Sequence, residues 1–366
     1  MSQATTSEPA AGKRPSDGLS DETLLKWLYD MQLIREFETR TMQAYQQAKI
    51  GGFCHIYSGQ EACAVGTIRS VEHDDPVVTA YRDHGHALAR GMDPKACMAE
   101  MFGKITGCAK GKGGSMHMFD KPNHLYGGHG IVGAQTPLGA GLAFATKYER
   151  EVLKTTDKKR VCLCYLGDGA LNQGAFHEAQ NLAGLFSLPV IYIVENNGYS
   201  MGTSIARGTT MPDQLTLKAK GYGIEGLEID GMSVLDVYDK FKPFADACRD
   251  DQRPGFVDLK TYRYQGHSMS DPQKYRTKDE VEEFKERDSI ANLVDHLMNK
   301  RECLSEDEWT EMQKEIRERV KEAVQFAEES DAPGVEEELY SDVMVNPSKN
   351  MSPIGKYIEG AKNPLL

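Results

Sequence analysis

Val161-Cys162-Leu163-Cys164-Tyr165-Leu166-Gly167-Asp168-Gly169 opens the stretch whose reading decides the fold, and Val190-Ile191-Tyr192-Ile193-Val194-Glu195-Asn196-Asn197 closes it. The run from Val161 to Leu166 is short and apolar without alternation, the pattern of a central strand buried on both faces, and it stops at Gly167-Asp168-Gly169. Asn172 to Phe186 has helical spacing, Pro189 breaks it, and Val190 to Val194 is a second β-branched run ending at Glu195-Asn196-Asn197. A strand, a helix and a strand in this order make a right-handed unit with parallel strands. The expected fold class is therefore α/β, a mostly parallel sheet with helices on both faces.

Both strands point the same way, so Asp168 and Asn197 lie just beyond their carboxyl ends, where open parallel sheets bind ligands. Neighbouring strands are about 4.8 Å apart and next-but-one strands about 10 Å, which lets two such side chains converge on one ion. A carboxylate and an amide offer hard oxygens, which suit magnesium, and magnesium completes its octahedron with phosphate oxygens and water. The glycines beside Asp168 let the turn approach a phosphorylated cofactor closely, and the next helix presents free N–H groups to it. Taken singly, Asp168 reads as a helix cap and Asn197 as a turn residue. Together in this context they point to a metal.

Outward from this unit, Ser20 is a plausible helix cap, followed by apolar residues at Leu24, Trp27, Leu28, Met31 and Ile34 in helical spacing. Glycines crowd between Gly51 and Gly141, a region read as polar loops that approach a ligand. A further strand is predicted over Phe256 to Tyr262, and Gly266 to Pro272 is predicted to be a loop. Beyond Lys278 come charged helices, with Ser305 and Glu308 as a capping box and an apolar face from Trp309 to Phe326. The expected organisation is a disordered tail over 1–18, an α/β domain over 19–278, its helical extension over 279–345 and a C-terminal tail over 346–366.

The 366 residues carry a formal charge of -12, which leaves no basic field for a nucleic-acid backbone, and no apolar run is long enough to span a membrane. The eight cysteines form no C-x-x-C pair and read as buried thiols of a reducing, cytoplasmic compartment. The first eighteen residues lack the apolar stretch of a signal peptide.

Gly167-Asp168-Gly169 followed by Asn196-Asn197 resembles the thiamine diphosphate motif. Gly52-Phe53-Cys54-His55-Ile56-Tyr57, Thr79-Ala80-Tyr81-Arg82, Gly111-Lys112-Gly113-Gly114-Ser115-Met116-His117, Gly130-Ile131-Val132-Gly133-Ala134 and Tyr262-Arg263-Tyr264-Gln265-Gly266-His267-Ser268 narrow the likeness. With them, residues 20–345 resemble the alpha subunits of the decarboxylating component of 2-oxo acid dehydrogenase complexes, the pyruvate type in particular. The resemblance implies the thiamine diphosphate-binding fold, with thiamine diphosphate and Mg2+ shared between this chain and a separate beta subunit in an α2β2 assembly. It also implies decarboxylation of pyruvate, with the two-carbon fragment passed to the lipoyl domain of a dihydrolipoyl transacetylase. The principal base would lie on the beta chain.

Carried over residue by residue, the resemblance makes Asp168, Asn197 and the main-chain carbonyl of Tyr199 the metal ligands. Gly169 and Ala170 would offer backbone N–H groups to phosphate, Tyr81 and Arg82 would contact the diphosphate, and Gly130 and Val132 would pack against the cofactor ring. His55 and His267 match the active-site histidines, one beside the substrate and one on a phosphate-facing loop, each able to hydrogen-bond or pass a proton. Two departures stand out: Gln265 replaces a frequent histidine, and the loop after Pro272 is one residue shorter.

Four rival readings stand beside this one. Acetoin and branched-chain 2-oxo acid dehydrogenase alpha subunits share much of the pattern. A nicotinamide enzyme is suggested by G-x-G-x-x-G at Gly128–Gly133 and Gly221–Gly226, but the first is expected to follow a polar loop, not a strand. A noncatalytic assembly subunit would have no need for the set of Asp168, Asn197 and Arg82.

Overall fold

The computed structural model describes residues 14–334 together with Glu338, Ser341 and Asp342. The expected tail over 346–366, the end of the expected extension and residues 1–13 lie outside the described residues. In chain order the strands are β1 (Val77–Ala80), β2 (Leu125–His129), β3 (Cys162–Gly167), β4 (Val190–Asn196), β5 (Tyr199–Ser200), β6 (Thr203–Ser204), β7 (Glu225–Asp230) and β8 (Gly255–Lys260). The helices are α1 (Asp21–Gln46), α2 (Glu61–Ile68), α3 (His84–Arg90), α4 (Pro94–Met101), α5 (Gln135–Tyr148), α6 (Gly174–Phe186), α7 (Ile205–Gly208), α8 (Thr216–Lys220), α9 (Val234–Asp251), α10 (Lys278–Lys285), α11 (Ser289–Asp295) and α12 (Glu306–Glu329).

Six strands make one parallel sheet in the order β2-β1-β3-β4-β8-β7, and β5 and β6 form a separate small hairpin. The predicted parallel pair is β3 and β4, in register from Cys162 opposite Val190 to Gly167 opposite Glu195. Their lack of alternation has a direct cause, because both faces are covered. Leu163, Tyr165, Ile191 and Ile193 enter the larger core cluster beneath α1, α2 and α9. Cys162, Cys164, Leu166, Val190, Tyr192 and Val194 enter a second cluster beneath α5 and α6.

On the first face the covering is doubled. Ser20 caps α1 by accepting the Thr23 N–H at 3.2 Å, and α12, with its Ser305–Glu308 capping box, packs against both α1 and α4. The second face has a single helical layer whose outer side stays apolar: Leu138, Phe144 and Tyr148 on α5 and Leu182, Leu185 and Phe186 on α6 are exposed.

Several boundaries differ from the sequence reading. Residues 15–18, assigned to the tail, form a 3-10 turn because the Asp239 carboxylate accepts both the N–H and the hydroxyl of Ser16, at 2.7 and 2.8 Å. Between Asp168 and α6 lies a 3-10 turn, Asp168–Asn172, and extended Gln173 delays the helix to Gly174. Leu125–His129, read as loop, is an edge strand whose one neighbouring strand among the described residues is β1. The first G-x-G-x-x-G thus begins inside a strand and ends just before a helix, and does not follow a polar loop as expected. No helix among the described residues is long and apolar enough to cross a membrane.

Candidate active site

The order of the sheet reverses at β1: the chain passes from β1 outward to β2, then returns to the other side of β1 as β3. Crevices at such reversals, beyond the carboxyl ends of the strands, are the usual ligand sites. A cavity of about 250 Å³ occupies this place. Tyr81 and Arg82 enter it after β1, Val132 after β2, Asp168, Gly169 and Ala170 after β3, Asn197 and Tyr199 after β4, and Arg263 and His267 after β8. A second cavity of about 620 Å³ shares Tyr81, Val132, Met201 and His267 with the first and adds His55 and Gly130. All eleven residues proposed from sequence therefore border one or the other of these neighbouring cavities.

The floor follows from strand register. Gly167 lies opposite Glu195, so Asp168 and Asn197 emerge one and two residues beyond the same level. Gly198 then takes a φ of +79°, which turns the chain so that Tyr199 also borders the cavity. Gly169 has no room for a side chain, since a Cβ there would run into Ser200. Asp168 is 2% exposed, and burial raises its carboxyl to about 6. Its side-chain partner is the Ser200 hydroxyl at 3.4 Å, a weak hold for a buried carboxylate. The Asn197 amide donates to Gln60 Oε1 at 3.1 Å and turns its oxygen toward the Tyr199 N–H and Arg263 Nη1, at 3.3 and 3.4 Å. A carboxylate whose one side-chain partner is a weakly held hydroxyl, and an amide oxygen bordering the same cavity, are hard donors that fit a divalent cation.

Arg82 and Arg263 both border the cavity and both are buried. Arg82 donates from Nη1 to the Ile56 carbonyl at 2.6 Å and from Nη2 to the His267 carbonyl at 2.8 Å. Burial first, and the Arg263 charge second, lower its pKa to about 10. Two guanidinium groups in one enclosed space suit an anionic ligand. Sequence reasoning gave Arg263 no role, and Glu195, which also borders the cavity, was missed. Glu195 accepts from the Tyr57 hydroxyl and lies 3.1 Å from His86 Nε2.

The roof holds the two histidines, their rings 5.1 Å apart and nearly perpendicular, with the Tyr81 ring 4.6 Å from His55. Burial, then the charge of Arg82, pushes His55 down to about 2 and His267 down to about 4, so both are neutral near pH 7. Each neutral ring has one donor and one acceptor nitrogen. The Nδ1 of His55 has no partner. The His267 N–H donates to Asp271 Oδ2 at 2.6 Å, which anchors its loop.

Residues 29–336 match the family described as dehydrogenase E1 component. The chain belongs to the dehydrogenase E1 component family. Members of this family depend on thiamine diphosphate, and a cavity that joins hard oxygens to buried guanidinium groups agrees with that chemistry. A relative from Rickettsia bellii named pyruvate dehydrogenase E1 component subunit alpha is 49% identical over 324 residues, 88% of this chain and 96% of the relative. One of the same name from Rhizobium meliloti is 47% identical over 327 residues, 89% and 91% of the two chains. A mitochondrial one from Sminthopsis macroura is 44% identical over 321 residues, 87% and 85%. Within an E1 component the strand–glycine loop–helix context of Gly128–Gly133 serves a wall of this same cavity, and the nicotinamide reading falls away.

Proposed function

We propose that the chain is the alpha subunit of a pyruvate dehydrogenase (acetyl-transferring), acting with a beta subunit in an α2β2 assembly. The reading rests most on one observation: Asp168, Asn197, Arg82 and Arg263 meet in a single cavity at the reversal of the sheet. The likeness to named pyruvate dehydrogenase subunits along most of the chain supports the substrate.

Asp168, the Asn197 side-chain oxygen and the Tyr199 carbonyl would hold Mg2+. Gly169 and Ala170 N–H groups, Tyr81 and the remaining N–H donors of Arg82 would hold the diphosphate, and Gly130 and Val132 would flank the ring. When bound there, thiamine diphosphate supplies the electron sink for decarboxylation of a 2-oxo acid. His55 and His267, neutral and set across the outer cavity, would hydrogen-bond the oxygen of the reacting 2-oxo acid and guide acyl transfer to a lipoyl domain of a dihydrolipoyl transacetylase. The exposed apolar side of α5 and α6 would be covered by the beta subunit, because α5 begins just past Val132 at the cavity wall. Eight free cysteines are in keeping with a cytoplasmic site of action.

Co-expression with a beta subunit, followed by rates with pyruvate, acetoin and branched 2-oxo acids, tests the reading. Pyruvate is expected to lead in kcat/KM by about tenfold or more. A higher rate with acetoin, or activity that survives removal of thiamine diphosphate, would refute it.

A further inference from the structure

Residues 54–58 run as a crosspiece between the roof of the site and the buried interior. Along one edge their carbonyls are held from the His267 side. The Met269 N–H donates to Cys54 O at 2.9 Å, Arg82 to Ile56 O at 2.6 Å and the Tyr264 N–H to Ser58 O at 3.0 Å. Along the other edge, the His55 N–H donates to Ser115 Oγ at 3.2 Å and the Tyr57 N–H to Glu38 Oε1 at 2.7 Å. A single side chain joins those two acceptors: His84 Nδ1 lies 3.0 Å from each Glu38 carboxylate oxygen, and its Nε2 lies 2.8 Å from Ser115 Oγ and 3.0 Å from the Ser115 carbonyl.

Glu38 and His84 are fully buried and Ser115 is 3% exposed. Burial favours neutral His84, but the Glu38 carboxylate and, further off, Asp83 outweigh it and raise its pKa above the ordinary value. Burying such a carboxylate–imidazole pair contributes little net stability, because desolvation offsets the attraction, and apolar residues of like volume fill such space at least as well. Its usefulness lies in geometry: each acceptor has one place, and each captures one backbone N–H of the crosspiece. Carboxylate, imidazole and hydroxyl in this order resemble a hydrolase triad. Here, however, the hydroxyl oxygen is already engaged by His84 and the His55 N–H, and it is sealed from solvent.

We infer that Glu38, His84 and Ser115 are positioning residues of the active site: they fix residues 54–58 and thereby set the His55 ring against His267, without touching substrate or cofactor. This rests on the reading of His55 and His267 as active-site residues. Ser115→Ala removes the acceptor for the His55 N–H, and Ser115→Thr keeps it.

In the full chain assembled with its beta subunit, Ser115→Ala is expected to lower kcat about tenfold or more, since displacements near 1 Å have such effects. Thiamine diphosphate affinity should stay within about threefold, and Ser115→Thr should restore most of kcat. Crystal structures should find the 5.1 Å separation of the His55 and His267 rings widened in the alanine variant and recovered in the threonine variant. Rings that do not move in Ser115→Ala, or a loss of kcat that Ser115→Thr fails to restore, would overturn the inference. A His55→Ala control separates the two claims. Full activity in that control refutes the active-site reading of His55, while the ring separation still decides the positioning role. Should Ser115→Ala not fold, Glu38→Gln, of the same shape and without the charge, takes its place, read by kcat, thiamine diphosphate affinity and the separation of the two rings.

Discussion

Asp168 and Asn197 leave adjacent, fully buried strands whose pairing places them within a residue of one level, whereas His55 and His267 sit on segments outside any strand or helix. The floor of the cavity takes its geometry from a backbone ladder, and the roof takes most of its geometry from side chains, Arg82, Asp271, Ser115 and Glu38, beside two isolated backbone bonds from Met269 and Tyr264. One wall is therefore insensitive in position to single substitutions, and the other depends on each of several hydrogen bonds. The floor suits a ligand that must be held. The roof suits groups that have to meet a changing substrate.

Removing the floor's charge is the severest way to test this contrast. Asp168→Ala is expected to weaken thiamine diphosphate and Mg2+ binding at least about a hundredfold with the sheet intact, as calorimetric titration and circular dichroism would report. Binding within a fewfold of the parent would mean that the ligand wall lies elsewhere. On the roof, His267→Ala should lower reductive acetylation of lipoyl about a hundredfold while cofactor affinity changes little. Equal losses in affinity and turnover would erase the distinction between the walls.

The smallest expected effect concerns protons. His55 and His267 are depressed from the ordinary 6.5 to about 2 and about 4, so between those values and 6.5 the unfolded chain binds protons that the folded chain does not. Their contribution to the stability of the ligand-free chain is accordingly present above pH 6.5 and lost on acidification toward pH 4, opposed by Asp168, Asp83 and Asp258, whose carboxyls burial raises to about 6. Urea titrations at a series of pH values would read the slope, and His267→Asn should lose less stability than the parent between pH 6.5 and 4. An unchanged slope would mean that His267 is already charged in the folded protein.

The floor was legible in sequence because buried parallel strands are unbroken apolar runs, and Gly167-Asp168-Gly169 and Asn196-Asn197 mark their ends. The neighbouring strands were not. β1 has only four residues, and β2 reads Leu-Tyr-Gly-Gly-His, with two glycines where propensity would ask for branched side chains; pairing with β1 makes it a strand despite its composition. Arg263 and Glu195 escaped notice because burial of a charge is decided by distant residues. Glu38 did leave a trace: it follows Ile34 by four residues and precedes Thr41 by three, a carboxylate on the stripe of α1 that faces the interior. A carboxylate on that inward face asks for a buried partner, and that partner is His84, 46 residues on.

The leucines and aromatic rings exposed on α5 and α6 also burden the cell that makes this protein. In the proposed pairing with a beta subunit, a copy released ahead of its companion would offer a sticky face to every other unfinished polypeptide, which would make it a client for chaperones and, if it lingered, for proteases. Keeping synthesis of the two polypeptides in step is then a demand of surface chemistry, felt well before any turnover begins.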